Sequence, residues 1–329
     1  MDPRREWGTA RNTVLYFDLM QIIARLNRLG IPVMALKGAI SLIIPMHPEL
    51  GQRQMGDLDL LVQEEDFESA ERALTALGYR TSSPTDGKAR TYVRSESVGP
   101  VDLHRHPVRT PWADLIDLPA FWSHAEVVSL GDHRVLIPSP EDQLWIQLIH
   151  ICFHHQDLNR IFRDAELLRD VRAITAYYVS RLNWEDMLDW VRRTPYGDVL
   201  YVVLVAASRH FGMRLHNRLP QMEPEKTVRF ERYIRWIREI ESPPKWLYYA
   251  ANRFLLILMV RGGWCAQCRA AYDVLIRRSA FREQPSFLLW QYSLDRHSGI
   301  VWLLRGVHSV KMLLLQGIMM FWYARFLVK

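Results

Sequence analysis

The chain has 329 residues, of which 49% are hydrophobic and 24% are charged. This balance excludes a disordered protein and a bundle of membrane spans, and the length indicates a globular chain of two parts. The net charge of +6 suits an anionic small substrate at least as well as a nucleic acid. With three cysteines and no apolar stretch among its first residues, the chain is expected to be cytoplasmic.

Helical and strand patterns alternate in the first part of the chain. Apolar spacing of three and four residues predicts helices, and short apolar or alternating runs predict strands of one mixed sheet. The predicted elements follow in this order: helix 12–28, strand 32–36, helix 39–44, strand 57–62, helix 65–77, strands 79–81, 91–94 and 101–104, and a hairpin of 126–130 with 134–137.

The character of the chain changes at Ser139-Pro140, a typical helix start, and almost everything after it reads as helix. We therefore predict an α+β protein, in which a small mixed-sheet domain (1–138) precedes an all-helical domain (139–329). The apolar pattern of the last segment, 299–329, predicts a helix. Such a helix can pack in the core or in a dimer, or lie on an anionic membrane surface.

The strongest chemical signal lies in residues 56–62. Successive side chains of a strand point to opposite faces, so Asp57 and Asp59 share one face while Leu58 and Leu60 are buried on the other. Two adjacent carboxylates repel each other unless a cation lies between them, and Mg²⁺ prefers oxygen ligands. The pattern indicates a divalent metal site, although two acids on the solvated face of an edge strand would produce the same pattern.

Two further segments carry polar residues that suit this site. Lys37 and Gly38 lie at a predicted turn from strand to helix, where glycine lets the backbone approach a phosphate and the lysine adds charge. In 101–104 the alternation places Asp102 and His104 on one face of another strand. If that strand neighbours the first, Asp102 becomes a third carboxylate that can accept a proton from an acceptor hydroxyl.

Together these segments resemble the uncharacterised bacterial nucleotidyltransferase family of the polymerase-beta superfamily, some members of which are encoded beside peptide-maturation genes. The resemblance covers roughly residues 15–220 and is strongest in four segments: 35–39 (ALKGA), 53–62 (RQMGDLDLLV), 66–79 (ending in LGY) and 101–104 (VDLH). One departure is that Lys37-Gly38 stands where the wider superfamily has Gly-Ser. This departure leaves open how the triphosphate is held.

The resemblance implies a role for each candidate residue. Three acids are expected to act in catalysis and to bind Mg²⁺ or Mn²⁺, namely Asp57, Asp59 and Asp102. Binding of the nucleotide is expected to involve Lys37, Gly38, Arg53 and His104.

The implied reaction moves a nucleoside monophosphate from an NTP to a hydroxyl or phosphate of a peptide or small molecule. One alternative is a nucleotide-sugar-dependent glycosyltransferase, although only 56 residues precede Asp57, fewer than a nucleotide-binding unit of that kind normally needs. Another is a non-catalytic peptide-binding module. We expect no stable complex with nucleic acid, and either a homodimer or a peripheral membrane contact through the C-terminal helix.

Overall fold

The computed structural model describes residues 3–83, 89–108, 112–154 and 168–212, together with position 228. These residues fall into two compact units. The first contains the described residues of 3–150 and 169–183, and the second contains 151–154, 168, 184–212 and position 228. All seven residues to which the sequence assigns a role in the site lie in the first unit.

The first unit is a mixed α/β structure, which confirms the predicted fold class. Every predicted element of 12–137 is present, and the additional helix α4 was not expected. In chain order the helices and strands are α1 (Pro3–Arg28), β1 (Met34–Ala35), α2 (Ile40–Ile43), β2 (Leu58–Leu61), α3 (Phe67–Ala76), β3 (Arg80–Ser83), β4 (Ala89–Val93), β5 (Val101–His104), α4 (Leu118–Ser123), β6 (Glu126–Leu130), β7 (His133–Ile137), α5 (Pro140–Ile149) and α6 (Arg169–Tyr177).

The strands of the described residues form one seven-stranded sheet in the order β3-β4-β5-β2-β1-β7-β6. Two pairs are parallel, β2 with β5 and β1 with β7, and the other neighbours are antiparallel. In the parallel pair of β2 and β5, Asp59 lies opposite Asp102. The two acidic segments that the sequence suggested as neighbours therefore are neighbours, and they are in register.

One face of the sheet packs against α1 because of a regular apolar pattern on that helix. Leu15, Leu19, Ile22 and Leu26 recur every three or four residues and are fully or almost fully buried in the core that contains Leu58, Leu60, Val101 and Leu103 of the sheet. Burial of each such side chain contributes on the order of 2 kcal/mol. Alternation along β2 and β5 then places their acidic side chains on the opposite face.

The helix α5 begins as the sequence predicts. The Ser139 hydroxyl accepts a hydrogen bond from the Asp142 backbone N–H (3.1 Å), and Pro140 occupies the first turn, where its missing N–H costs nothing. Gln143 of the same helix donates to the Pro138 carbonyl (2.7 Å). These bonds fix the direction in which the chain leaves β7.

The described part of the second unit is helical. It contains residues 151–154 of a π-helical turn (His150–His154), α7 (Trp184–Arg193) and α8 (Gly197–Phe211). The rings of Phe153 and Tyr196 meet edge to face at 5.4 Å between centroids. The predicted C-terminal helix at 299–329 lies outside the described residues, and the division of roles between 1–138 and 139–329 stays a prediction. Among the helices described, none has the length and apolar character needed to cross a membrane.

Candidate active site

Asp59 is the centre of the candidate site. It lies in β2 and is only 4% exposed. Its Oδ1 accepts a hydrogen bond from the Lys37 Nζ (2.7 Å). The same oxygen is 2.8 Å from the Nε2 of His104 in β5. The parallel register places Asp102 directly beside Asp59. The structure thus brings together four of the seven residues that the sequence singled out.

The two aspartates of the DxD motif lie in different electrostatic environments. Burial alone would raise the pKa of Asp59, but the Lys37 ammonium and the His104 ring hold it well below its usual range. The pKa of Asp57 is raised, first by burial and then by the nearby charge of Asp59, while Lys37 opposes the change. Asp59 is therefore firmly ionised, whereas the ionised form of Asp57 is disfavoured by its surroundings.

The side chains around Asp59 fit a divalent cation. One potential ligand atom from each of Asp59, Asp102 and His104 lies within 4.8 Å of the other two. Carboxylate oxygens suit both Mg²⁺ and Mn²⁺, and an imidazole nitrogen is a ligand more typical of transition metals than of Mg²⁺. Asp57 is not part of this group of three, although its charge interacts with those of Asp59 and Asp102.

A threonine that the sequence did not reveal supports Asp102. Strand β4 pairs antiparallel with β5, and Thr91 lies opposite Asp102 in that register. The Thr91 hydroxyl donates to Asp102 Oδ1 (2.6 Å). The bond fixes one carboxylate oxygen and leaves Oδ2 for a ligand. A sequence pattern can predict both strands, but the pairing of these two residues follows only from the register.

The predicted turn at Lys37 and Gly38 has an unusual backbone. Lys37 has a φ of +47°, in the left-handed region that side chains other than glycine seldom adopt. Gly38 follows in a 3₁₀ turn, and a Cβ at Gly38 would lie 2.2 Å from Nη1 of Arg53. The guanidinium group therefore lies directly against the Gly38 backbone, and this contact requires glycine.

Arg53 is held in that place by Asp170, which the sequence did not identify as a site residue. The Arg53 Nε donates to Oδ1 of Asp170 (2.7 Å) and its Nη2 donates to Oδ2 (2.8 Å), which makes a bidentate pair. Asp170 is the second residue of α6. A separation of 117 residues between Arg53 and Asp170 explains why no local pattern indicated the pair.

Asn12 of α1 holds the backbone of the loop that carries Arg53. Its Nδ2 donates to the carbonyls of Leu50 (2.5 Å) and Arg53 (2.6 Å), and its Oδ1 accepts from the Met55 N–H (3.2 Å). Asn12 is 2% exposed, so these bonds are made inside the protein. The approach of the chain to Asp57 is thus fixed from the helix side as well as by Asp170.

A cavity opens beside the candidate site. Lys37 lies in its wall together with side chains that carry both donors and acceptors, including Ser41, His47, Gln143 and Gln147. Apolar walls come from α2, α5, α6 and the loops beside them, namely Ile40, Met46, Pro138, Ile146, Ala173 and Ile174. A group next to the Lys37 ammonium would therefore meet polar partners of both kinds.

Comparison with known proteins gave one family and one solved structure. A profile described as "uncharacterised nucleotidyltransferase" matches residues 1–212. No curated protein matches the chain. The chain is also similar to the solution structure of the antibiotic-resistance factor ANT(2'')-Ia, with 16% sequence identity and a TM-score of 0.39, over 61% of this chain and 95% of that one.

Proposed function

Because the chain belongs to the uncharacterised nucleotidyltransferase family, and so is an enzyme of that class, we propose that it transfers a nucleoside monophosphate from an NTP to an acceptor. The observation that supports this most directly is the pair formed by Asp59 and Asp102, in register on neighbouring parallel strands. The Lys37 ammonium beside Asp59 adds a positive group at the same place. Family membership favours this reaction over the sugar transfer that a DxD motif also allows.

The acids supply ligands for a divalent cation. Asp59 and Asp102 would hold Mg²⁺ or Mn²⁺, with His104 or Asp57 completing the protein's share of the ligands. When bound, such an ion neutralises charge on the phosphates and orients them for in-line displacement. The donor set alone allows either ion, so the choice between Mg²⁺ and Mn²⁺ belongs to the proposal.

The remaining roles are to bind the phosphates and to accept the proton of the acceptor. Lys37, the Gly38 backbone and Arg53 place two positive groups and a close backbone approach beside the acids. An acceptor oxygen attacks the α-phosphorus, its bond to phosphorus forms, and the bond from the α-phosphorus to the bridging oxygen breaks. Pyrophosphate leaves with the electron pair. Asp102, through the oxygen that Thr91 leaves free, accepts the proton of an acceptor hydroxyl.

We propose a hydroxyl or phosphate of a peptide or small molecule as the acceptor, in a cytoplasmic setting. The cavity beside Lys37 is lined by both donors and acceptors, which favours a polar group of the nucleotide or the acceptor at this place. We also propose that nucleic acid is not a stable partner, although the net charge of +6 suits either kind of anionic partner. A homodimer or a peripheral membrane contact through 299–329 belongs to the same proposal.

Product analysis tests the reaction type. The protein is incubated with each of ATP, CTP, GTP and UTP, with MgCl₂ or MnCl₂, and with a panel of hydroxylated peptides and small molecules. We expect release of pyrophosphate and an acceptor heavier by one nucleoside monophosphate. Asp102→Asn should abolish both, whereas Asp132→Asn, in the exposed turn between β6 and β7, should not. Transfer of a sugar with release of a nucleoside diphosphate would contradict the proposal.

A further inference from the structure

We propose that Asp170 is a positioning residue, which holds the Arg53 guanidinium against the turn at Lys37 and Gly38 so that this group can bind the triphosphate. The inference rests on the proposed function and adds to it a residue from the helix α6. Arg53 itself resembles a basic position of the family, but neither its partner nor its orientation follows from that resemblance.

The geometry of the bidentate pair determines which edge of the guanidinium is left for a ligand. Asp170 occupies the edge formed by Nε and Nη2. The group nearest to the site of a Cβ on Gly38 is Nη1, at 2.2 Å. Nη1 also donates to the Met55 sulfur (2.5 Å), which takes one of its two N–H donors and leaves the other for a ligand. Arginine presents five N–H donors in a fixed plane, so binding one edge to Asp170 directs the Nη1 side toward the turn. Lysine at this position could not be oriented in the same way.

Asp170 also competes with other acids for Arg53. Burial alone would lower the pKa of Arg53, but it is raised by Asp170 and, less strongly, by Asp57 and Asp59. The guanidinium group therefore interacts favourably with the same acids that the proposed cation needs. The bidentate pair with Asp170 keeps the Arg53 guanidinium against the turn at Lys37 and Gly38, where it can bind a phosphate. The pair also prevents Arg53 from neutralising the acids that would bind the metal.

A purely structural role is the competing explanation. Helix α6 is joined to the same loop by a second bond, from Arg169 Nη1 to the Gln52 carbonyl (2.9 Å). His47 of this loop is also near Asp170, with 3.7 Å between Nε2 and Oδ1. If Asp170 only fastened the loop to α6, its loss would lower stability without a specific effect on phosphate binding. The two explanations therefore differ in which quantity changes.

Calorimetric titration of ATP, CTP, GTP and UTP with MgCl₂ tests the inference on the full chain. We expect Asp170→Asn and Arg53→Lys each to raise the Kd of the bound NTP about 10-fold, the size typical of a lost charge-assisted bond. The double variant should bind no more weakly than Arg53→Lys alone, because Asp170 acts through Arg53. Inorganic tripolyphosphate should show the same loss, since the contact is to phosphate.

Asp18→Asn is the matched control. Asp18 is also buried and paired with an arginine, since Arg94 Nη2 donates to its Oδ1 (2.5 Å), and it joins α1 to the end of β4. This variant should lose stability but keep the Kd for the NTP. Asp170→Glu retains the negative charge and should therefore bind the NTP more tightly than Asp170→Asn. If Asp170→Asn fails to fold, Asp170→Glu is measured in its place.

The outcomes separate this inference from the proposed function. If the wild-type chain binds no NTP with Mg²⁺, both are wrong. If the wild type binds an NTP but Asp170→Asn leaves its Kd unchanged, or the losses in the double variant simply add, the positioning role is overturned while the proposed function stands. If neither variant of Asp170 folds, the role of Asp170 is structural and the inference is again wrong.

Discussion

At the scale of single residues, Asp57 and Asp59 show how position changes the meaning of a carboxylate. A simple pair of like charges would predict that replacing either by asparagine leaves folding unchanged or slightly improves it. In the structure Asp59 instead neutralises the Lys37 ammonium and contacts His104 in a buried setting. Only Asp57, whose pKa is raised by burial and by Asp59, carries an unfavourable charge.

We therefore expect the two asparagine variants to differ in the sign of their effect on stability. Asp59→Asn leaves the partly buried Lys37 without its counter-charge and should lower the free energy of unfolding by about 3 kcal/mol, the lower end of the range for a broken buried pair. Asp57→Asn should raise it slightly, because a raised pKa means that the ionised group opposes folding at neutral pH. Urea unfolding at pH 7 measures both. Equal effects of the two changes would contradict this description of the motif.

Asp170 gives a stability change that depends on pH. Burial alone would raise its pKa, but His47 and Arg53 hold it well below the usual range. A group whose folded pKa is lowered stabilises the protein above its unfolded pKa, about 4, and this contribution is lost as the pH falls through the folded value. Asp170→Asn has no such contribution to lose. The stability difference between wild type and variant should therefore shrink between pH 5 and pH 2.5, measured by urea unfolding, and a constant difference would be the wrong result.

At the scale of elements, the strands and their alternation follow from the sequence, but the contacts between them do not. The pattern in 57–62 and 101–104 predicts which residues share a face, because side chains alternate along any strand. The same pattern does not predict the register that places Thr91 opposite Asp102, or the hydrogen bonds between Arg53 and Asp170. Those contacts depend on how elements far apart in the chain pack, and no local pattern encodes them.

The loop before β2 depends on one buried side chain of α1. Asn12→Ala would remove partners from three backbone groups of that loop, at Leu50, Arg53 and Met55. Buried groups without partners are costly, so we expect the free energy of unfolding to fall by about 2–4 kcal/mol. The NTP affinity should fall too, because the same bonds position Arg53.

Asn27→Ala is the control for that prediction. Asn27, on the same helix, also makes two bonds to backbone, donating to the Arg134 carbonyl (3.0 Å) and accepting from its N–H (2.7 Å), but at a partly exposed position that water can reach. Water can replace those bonds, so the loss should stay below about 1 kcal/mol. Denaturant unfolding of the two variants side by side decides the matter, and equal losses would show that Asn12 has no special role.

At the scale of the whole molecule, the order of elements explains how distant residues meet. Helices α5 and α6 lie beyond position 138, where the helical character begins, yet their described residues belong to the compact unit that contains the sheet. Asp170 is thereby brought to Arg53, and Gln143 and Gln147 to the cavity beside Lys37. The sequence predicts a sheet followed by helices, and it correctly indicates the family that the profile over 1–212 shows.

In the proposed function, the acids of β2 and β5 make nucleotide binding depend on a divalent cation. Calorimetry of ATP, CTP, GTP and UTP, each with and without MgCl₂, tests it before any acceptor is known. We expect the wild type and Asp132→Asn to bind at least one NTP only when Mg²⁺ is present, and Asp102→Asn to bind none while keeping its circular dichroism spectrum. NTP binding that is equally tight without the metal, or unchanged in Asp102→Asn, would contradict the claim.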